Sequence, residues 1–139
     1  MEEIYSLIGK ILEKFQIFEQ QLYLLLYIGT KKNCCENDDY AQIEQLYNFT
    51  KMEKASLGKK FEKIKDLKII ADERSVDLIE YFITTRNKIT HYFFIENNLK
   101  TKKDIISSIK ELNIVNEDFK MINSAIKKYL IDYAKENKV

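Results

Sequence analysis

The chain has 139 residues, of which 45% are hydrophobic and 32% are charged, and its formal net charge is +1. A chain of this length can bury a core without disulfide or metal staples, and its near-neutral charge excludes a global electrostatic attraction for nucleic acid. Pro is absent and Gly occurs only 3 times, which disfavours a β-sandwich or β-barrel, because the turns of such folds depend on these residues. We therefore predict a single all-α domain over residues 1–139.

We expect no signal for export or membrane insertion in this chain. Glu2 and Glu3 occupy the place of the basic region of a signal peptide, and the longest apolar run, residues 22–29, is too short to span a bilayer. We expect a cytoplasmic protein without a membrane contact. Cys34 and Cys35 are adjacent in a polar stretch, so we expect two reduced thiols, no metal site and no cofactor.

The first part of the chain predicts three helices. Apolar residues recur at helical spacing over residues 2–29 and predict one long helix. The polar stretch 29–39 is expected to end it, with Gly29 suited to the C-cap. A shorter helix is predicted over residues 40–49, and a short amphipathic helix over residues 56–68.

The second part predicts two long helical segments. The first spans residues 72–95 and is interrupted by the polar stretch 96–101. The second spans residues 102–136, with a break expected near residues 113–118, where Asn116 is suited to cap the helix that follows.

The stretch TTRNKITHYFF, residues 84–94, contains the single His of the chain. At about 100° per residue, Arg86 falls within an otherwise apolar stripe of this helix, whereas Asn87 and His91 fall on a neighbouring polar row. Arg86 and His91 diverge by roughly 140°, so they would not converge on one small ligand from a single straight helix. The predicted core stripe consists of Val76, Ile79, Ile83, Arg86, Thr90 and Phe93.

The first helix carries a matching charge on its own stripe. Glu19 is its one charged member, and an unpaired buried charge would cost several kcal/mol. We therefore predict that Glu19 contacts Arg86 and orients it, either within a site or as a structural ion pair that sets helix register. The predicted stripe consists of Ile8, Leu12, Phe15, Glu19, Leu22 and Leu26.

The sequence of Arg86, Asn87, three residues and His91, followed by aromatic residues, resembles the signature of the HEPN superfamily. The resemblance implies an antiparallel four- to five-helix bundle that dimerises around this helix, with the two motifs facing each other. Many members are metal-independent endoribonucleases of toxin–antitoxin modules and phage-defence systems. On this basis Arg86 and His91 are expected to be catalytic and Asn87 to position them. Glu19 and Thr90 are expected to support them.

RNA cleavage suits these residue types. Attack of the 2′-OH on the adjacent phosphate needs a proton acceptor, a proton donor and a cation. His can fill either proton role near neutrality, and the planar fork of Arg binds phosphate oxygens. Because each chain has one His, two proton roles would require a homodimer. Further RNA contacts are expected from Lys88, Tyr92, Lys59 and Lys60, although a solvated lysine face and a packed aromatic group explain the same residues.

The functional prediction is thus a metal-independent endoribonuclease, a toxin or defence effector, with RNA as substrate and an antitoxin or regulatory protein as partner. The alternative is a non-catalytic HEPN-like dimer that binds RNA, a nucleotide or a partner protein. An antitoxin or scaffold subunit is a third possibility.

Overall fold

The computed structural model describes residues 2–32, 55–70, 72–96 and 99–137. These ranges contain helices and no strand, which confirms the predicted all-α class. The helix predicted over residues 40–49 and the pair Cys34 and Cys35 lie outside the described residues. The four described helices are α1 (Glu2–Lys32), α2 (Leu57–Asp66), α3 (Glu73–Glu96) and α4 (Lys102–Asn137).

A cluster of aromatic rings joins α1, α3 and α4 at the centre of the core. The ring of Phe119 lies 4.6 Å from that of Phe15, 5.5 Å from that of Phe18 and 4.9 Å from that of Phe82, centroid to centroid. All three contacts are edge-on, the arrangement that aromatic quadrupoles favour. The cluster therefore fixes these three helices against each other at one height.

The contacts along the helices give their directions. Phe15 of α1 meets Phe119 of α4, and ten residues further along α1, Leu25 lines the same cavity as Ile126. The residue numbers of the contacting pairs increase together along both helices, so α1 and α4 run in the same direction. The trend is opposite for α3. Arg86 pairs with Glu19 of α1, whereas Ile79, which comes earlier in α3, lines a cavity with Leu25, which comes later in α1. The bundle is therefore antiparallel between α3 and its two long neighbours, and parallel between α1 and α4.

Side-chain caps mark the starts of three helices close to the predicted positions. The side chain of Ser56 accepts a hydrogen bond at the start of α2, and the carboxylate of Asp72 accepts two at the start of α3. Thr101 and Asp104 exchange reciprocal hydrogen bonds at the start of α4. These caps satisfy backbone N–H groups that the first turn of a helix leaves without partners.

The expected end of α1 at Gly29 is wrong, because the helix continues through this residue to Lys32. Gly29 is buried, and a Cβ atom at this position would overlap the Ile69 side chain. The glycine therefore permits a close approach of the α2–α3 turn, rather than a left-handed C-cap.

The break expected near residues 113–118 is also wrong, because α4 is continuous from Lys102 to Asn137. Leu112, Val115 and Phe119 are buried and continue the apolar spacing through this stretch. Packing of this face against the core outweighs the weak preference of Asn116 for a cap.

The core faces of α1 and α3 differ from the predicted stripes. Leu12 is 41% exposed and Ile8 is half-buried, whereas Phe18 is fully buried. On α3, Thr90 is exposed and Ile89 is buried instead. The reason is the same in both helices. Helix α4 packs against the side of α1 that carries Phe18 and against the side of α3 that carries Ile89, so the buried face of each helix is the one that points towards α4.

Candidate functional site

Arg86 joins α3 to α1 through the predicted pair with Glu19. Its Nη2 atom lies 2.5 Å from Oε1 of Glu19, and its Nη1 atom donates a hydrogen bond to Oδ1 of Asn87 at 2.9 Å. The two charged side chains are 24% and 33% exposed. The predicted contact between Glu19 and Arg86 is confirmed.

The packing of α3 explains how an arginine occupies this place. Ile83 and Ile89, one turn before and one turn after, are buried, so the stem of Arg86 lies over the core while its head reaches the rim beside Glu19. Long cationic side chains commonly bury their stems in this way. The Nε atom of Arg86 is buried and has no hydrogen-bond partner among the described residues, so Glu19 and Asn87 hold the guanidinium by its two terminal nitrogens.

His91 lies on a different face of α3. It is exposed, whereas Arg86 points towards the core, in keeping with their divergence of roughly 140° on a helix. One copy of the chain therefore does not bring Arg86 and His91 to a common cleft. Asn87 and Thr90 are exposed as well, and of these two only Asn87 has a hydrogen bond to Arg86.

Lys60 of α2 lies on the side of the bundle that carries the ion pair. Its Nζ atom stands 5.1 Å from the centroid of the Tyr23 ring, and Tyr23 follows Glu19 by one turn of α1. Tyr23 therefore contacts Lys60 and lies one turn from the residue that pairs with Arg86. Sequence reasoning missed Tyr23, although its position one turn from Glu19 on the same face was the available signal.

Lys88 lies on another side of α3. It is exposed and lines a groove between α3 and α4 together with Thr84, Glu111 and Asp118. Lys59 is exposed on α2, and the side chain of Tyr92 lies outside the described residues. The lysines predicted to contact RNA are thus distributed over separate faces and do not form one basic strip.

The site offers a fixed cation and an exposed imidazole. The guanidinium of Arg86 is held by a carboxylate and an amide oxygen, and its geometry suits a phosphate oxygen or a second carboxylate. Within the described ranges, no three His, Cys, Asp or Glu side chains lie close enough together to hold a metal ion. Over the same ranges, no helix combines the length and the hydropathy needed to cross a membrane.

These features define an all-α helical bundle with a polar Arg–Asn–His motif on one long helix. Comparison of the chain with protein-family models, with curated protein sequences and with solved structures finds no match. A functional proposal therefore rests on the residues of this chain and on their geometry.

Proposed function

We propose that the protein is a metal-independent endoribonuclease of the HEPN type that acts as a homodimer, as a toxin or phage-defence effector under the control of a partner protein. The observation that carries the proposal is the fixed guanidinium of Arg86, held by Glu19 and Asn87 on the helix that also exposes His91. A purely structural ion pair needs neither the Asn87 contact nor a histidine one turn beyond it.

The proposed reaction is an internal transfer within RNA. A 2′-OH attacks the adjacent phosphorus, so that an O2′–P bond forms and the P–O5′ bond breaks. His91 of one copy accepts the proton of the 2′-OH, and His91 of the second copy donates a proton to the leaving O5′. Arg86 stabilises the negative charge of the phosphorane, and the products are a 2′,3′-cyclic phosphate and a 5′-OH.

Two copies are part of this proposal because of the single histidine and its direction. One imidazole cannot act as acid and base in the same step, and the positions of His91 and Arg86 diverge by roughly 140° on an ideal helix. A site built from two copies would supply both proton roles. Glu19 has a positioning role in this scheme, since it restrains Arg86 without contacting RNA.

The proposal is tested by incubating a defined RNA with the full chain in the presence of a chelator. We expect cleavage with cyclic-phosphate ends, and we expect His91→Ala to lower the rate at least ~100-fold, in line with the loss of a general acid or base. Asp77→Ala is the matched control, because Asp77 is an exposed polar residue of the same helix, about four turns before His91. Absence of cleavage by the wild-type protein, or products with a 3′-OH, would overturn the proposal.

The second candidate function is a non-catalytic dimer that binds RNA, a nucleotide or a partner protein. It is favoured by one observation: the two hydrogen-bonded nitrogens of Arg86 are both engaged within its own chain, as a structural role requires. Expression of an Arg86→Ala/His91→Ala double variant in cells separates the two functions. Growth arrest that persists in this variant selects the binding module, and its loss selects the nuclease.

A further inference from the structure

A cavity of about 160 Å³ lies between α1, α3, α4 and the α2–α3 turn. Buried side chains form its floor, among them Leu25, Ile79 and Ile126, and exposed side chains form its rim. On the rim, Leu78 is 49% exposed and Tyr129 is 39% exposed. The cavity is therefore open to solvent on one side, and a small molecule can enter it while the bundle stays folded. We call it the Tyr129 cavity.

The size of the Tyr129 cavity matches one small ring system. An enclosed apolar cavity of about 150 Å³ is large enough to bind benzene. The Tyr129 cavity has a similar volume and an open side, so a ring system slightly larger than benzene also fits. Its floor is aliphatic, and a ring that covers this floor would remove apolar surface of both partners from water.

The electrostatics of the Tyr129 cavity favour a neutral occupant. Within the described part of the chain, the side chains that line it carry no charge, although 32% of all residues are charged. The carboxylate of Asp72, which is bonded to the lining residue Ser75, already accepts two hydrogen bonds at the start of α3. A charged molecule would thus lose its hydration here without gaining a counter-charge. This argues against phosphates and nucleotides as ligands of the cavity.

Two hydroxyl groups of the lining determine which polar group a ligand needs. The hydroxyl of Tyr129 donates a hydrogen bond to the carbonyl oxygen of Ile69 at 3.0 Å, and that of Ser75 donates one to Oδ2 of Asp72 at 2.9 Å. Each hydroxyl has a single proton, which is used within the chain, so its oxygen can only accept a further hydrogen bond. A matching ligand therefore carries an N–H or O–H group.

We propose that the Tyr129 cavity binds a small, neutral molecule that consists of an apolar ring system with one hydrogen-bond donor, as in indole or phenol. The ring covers the aliphatic floor, and the donor meets the phenolic oxygen of Tyr129. An inserted Leu, Ile or Phe side chain of a partner protein would fill the same space, but it would supply no donor to the two hydroxyl oxygens. The site does not rest on the proposed function, because neither Arg86 nor His91 lines the cavity.

Indole is a suitable probe for this site. The chain contains no Trp, so the fluorescence of indole can be excited separately from that of the protein. Titration of the full chain into indole is expected to give a saturable blue shift, with a dissociation constant below about 1 mM. Binding of indole by a protein that does not cleave RNA would support the site, and the proposed function would fail by itself.

Variants that fill the cavity test where indole binds. Ala125 lines the cavity from an exposed position of α4, and we expect Ala125→Leu to raise the dissociation constant at least about tenfold. Ser124→Leu is the matched control, because Ser124 is exposed on α4 and does not line the cavity; we expect its affinity for indole to equal that of wild type. Circular dichroism establishes that each variant is folded, and Ala125→Met provides a second obstruction of different shape.

Benzofuran tests the hydrogen bond to Tyr129, because it has the shape of indole with an oxygen in place of the N–H group. We expect the preference for indole over benzofuran, measured by displacement, to fall at least about threefold in Tyr129→Phe. An unchanged preference would overturn the role of Tyr129. A wild-type dissociation constant above about 1 mM, or one that neither Ala125→Leu nor Ala125→Met raises, would overturn the site as a whole.

Discussion

Glu19 of α1 and Arg86 of α3 form an ion pair of 2.5 Å at the rim of the core, although they belong to helices far apart in the chain. The pair links the packing of α1 and α3 to the residue proposed to bind phosphate. Its partial exposure limits its contribution to stability, because solvent screens the attraction of charges at this depth.

A double-mutant cycle measures the coupling between these two residues. We expect the double variant Glu19→Gln/Arg86→Gln to be destabilised by less than the sum of the two single variants. The difference, which is the coupling between the residues, should be about 0.5–1 kcal/mol in the free energy of unfolding. Chemical denaturation provides the measurement. Glu62→Gln is the control, because Glu62 pairs with Lys65 at 2.6 Å but is 64% exposed, and we expect a change below about 0.5 kcal/mol. If Glu19→Gln changed neither stability nor RNA cleavage, Glu19 would have no orienting role.

Gly29→Ala tests the close approach of α1 and the α2–α3 turn. The added Cβ atom meets three carbon atoms of Ile69, so we expect a loss of about 1–3 kcal/mol in the free energy of unfolding, the usual cost of overpacking. Gly9→Ala is the control: Gly9 is also within α1, and its Cβ would meet nothing within 4 Å. There we expect a gain of roughly 0.5–1 kcal/mol from higher helix propensity.

The combination of Gly29→Ala with Ile69→Ala checks the cause of this loss. Removal of the Ile69 side chain relieves the overlap, so the double variant should be more stable than the sum of the two single changes predicts. Strict additivity would mean that the clash with Ile69 does not cause the destabilisation.

Tyr129 is expected to make stability sensitive to alkaline pH. Its hydroxyl donates a hydrogen bond of 3.0 Å to the carbonyl oxygen of Ile69, and burial, assisted by Tyr133 and Glu136, raises the pKa of its phenol above the ordinary value. The folded state therefore holds this proton more tightly than the unfolded state. The contribution of the protonated phenol to the free energy of unfolding is complete below the unfolded pKa near ~10 and is lost as pH rises through the folded pKa.

Denaturation of wild type and Tyr129→Phe at several pH values from neutrality upwards measures this effect. We expect Tyr129→Phe to lose about 0.5–1.5 kcal/mol at neutral pH, from the missing hydrogen bond, and to show a shallower decline above pH ~10. Burial also raises the pKa of Tyr133. The free energy of unfolding of Tyr129→Phe/Tyr133→Phe should therefore decline still less at alkaline pH. Equal alkaline slopes for wild type and Tyr129→Phe would contradict the linkage.

Lys68 occupies a left-handed backbone conformation, with φ at 52°, directly after the C-cap of α2. Glycine adopts this conformation without the steric cost of a Cβ atom, so we expect Lys68→Gly to exceed Lys68→Ala in stability by about 1 kcal/mol. Both variants lose the same charge, and their difference therefore isolates the backbone. A thermal melt in which Lys68→Ala equals or exceeds Lys68→Gly would show that the conformation carries no such cost.

Local patterns in the sequence were sufficient for much of the fold. Apolar spacing predicted α2, α3 and the ends of α4, because helix formation follows from the alternation of core-facing and solvent-facing residues along a short stretch. The contact between Glu19 and Arg86 was also predictable. Glu19 and Arg86 are each the one charged residue on their predicted stripe. Burial of one of these charges without the other would be unfavourable, so a contact between them was expected.

Errors arose where a local signal competed with packing. Gly29 has the properties of a helix stop, and Asn116 those of a cap, yet both lie inside continuous helices. Ile69 requires the space at Gly29, and the core binds the apolar face of α4 on both sides of Asn116. Neither constraint is visible in the few residues that surround each position.

The sequence by itself determined that the chain is helical, which residues are charged within apolar stripes, and that Arg86 and His91 diverge on one helix. Only the tertiary structure decided which face of each helix is buried, that α1 and α4 run in parallel, and that Lys60 and Lys88 lie on different sides of the bundle. The physical reason is that helical periodicity is a local property of the backbone. The direction in which a face points depends on contacts between residues that are distant in the chain.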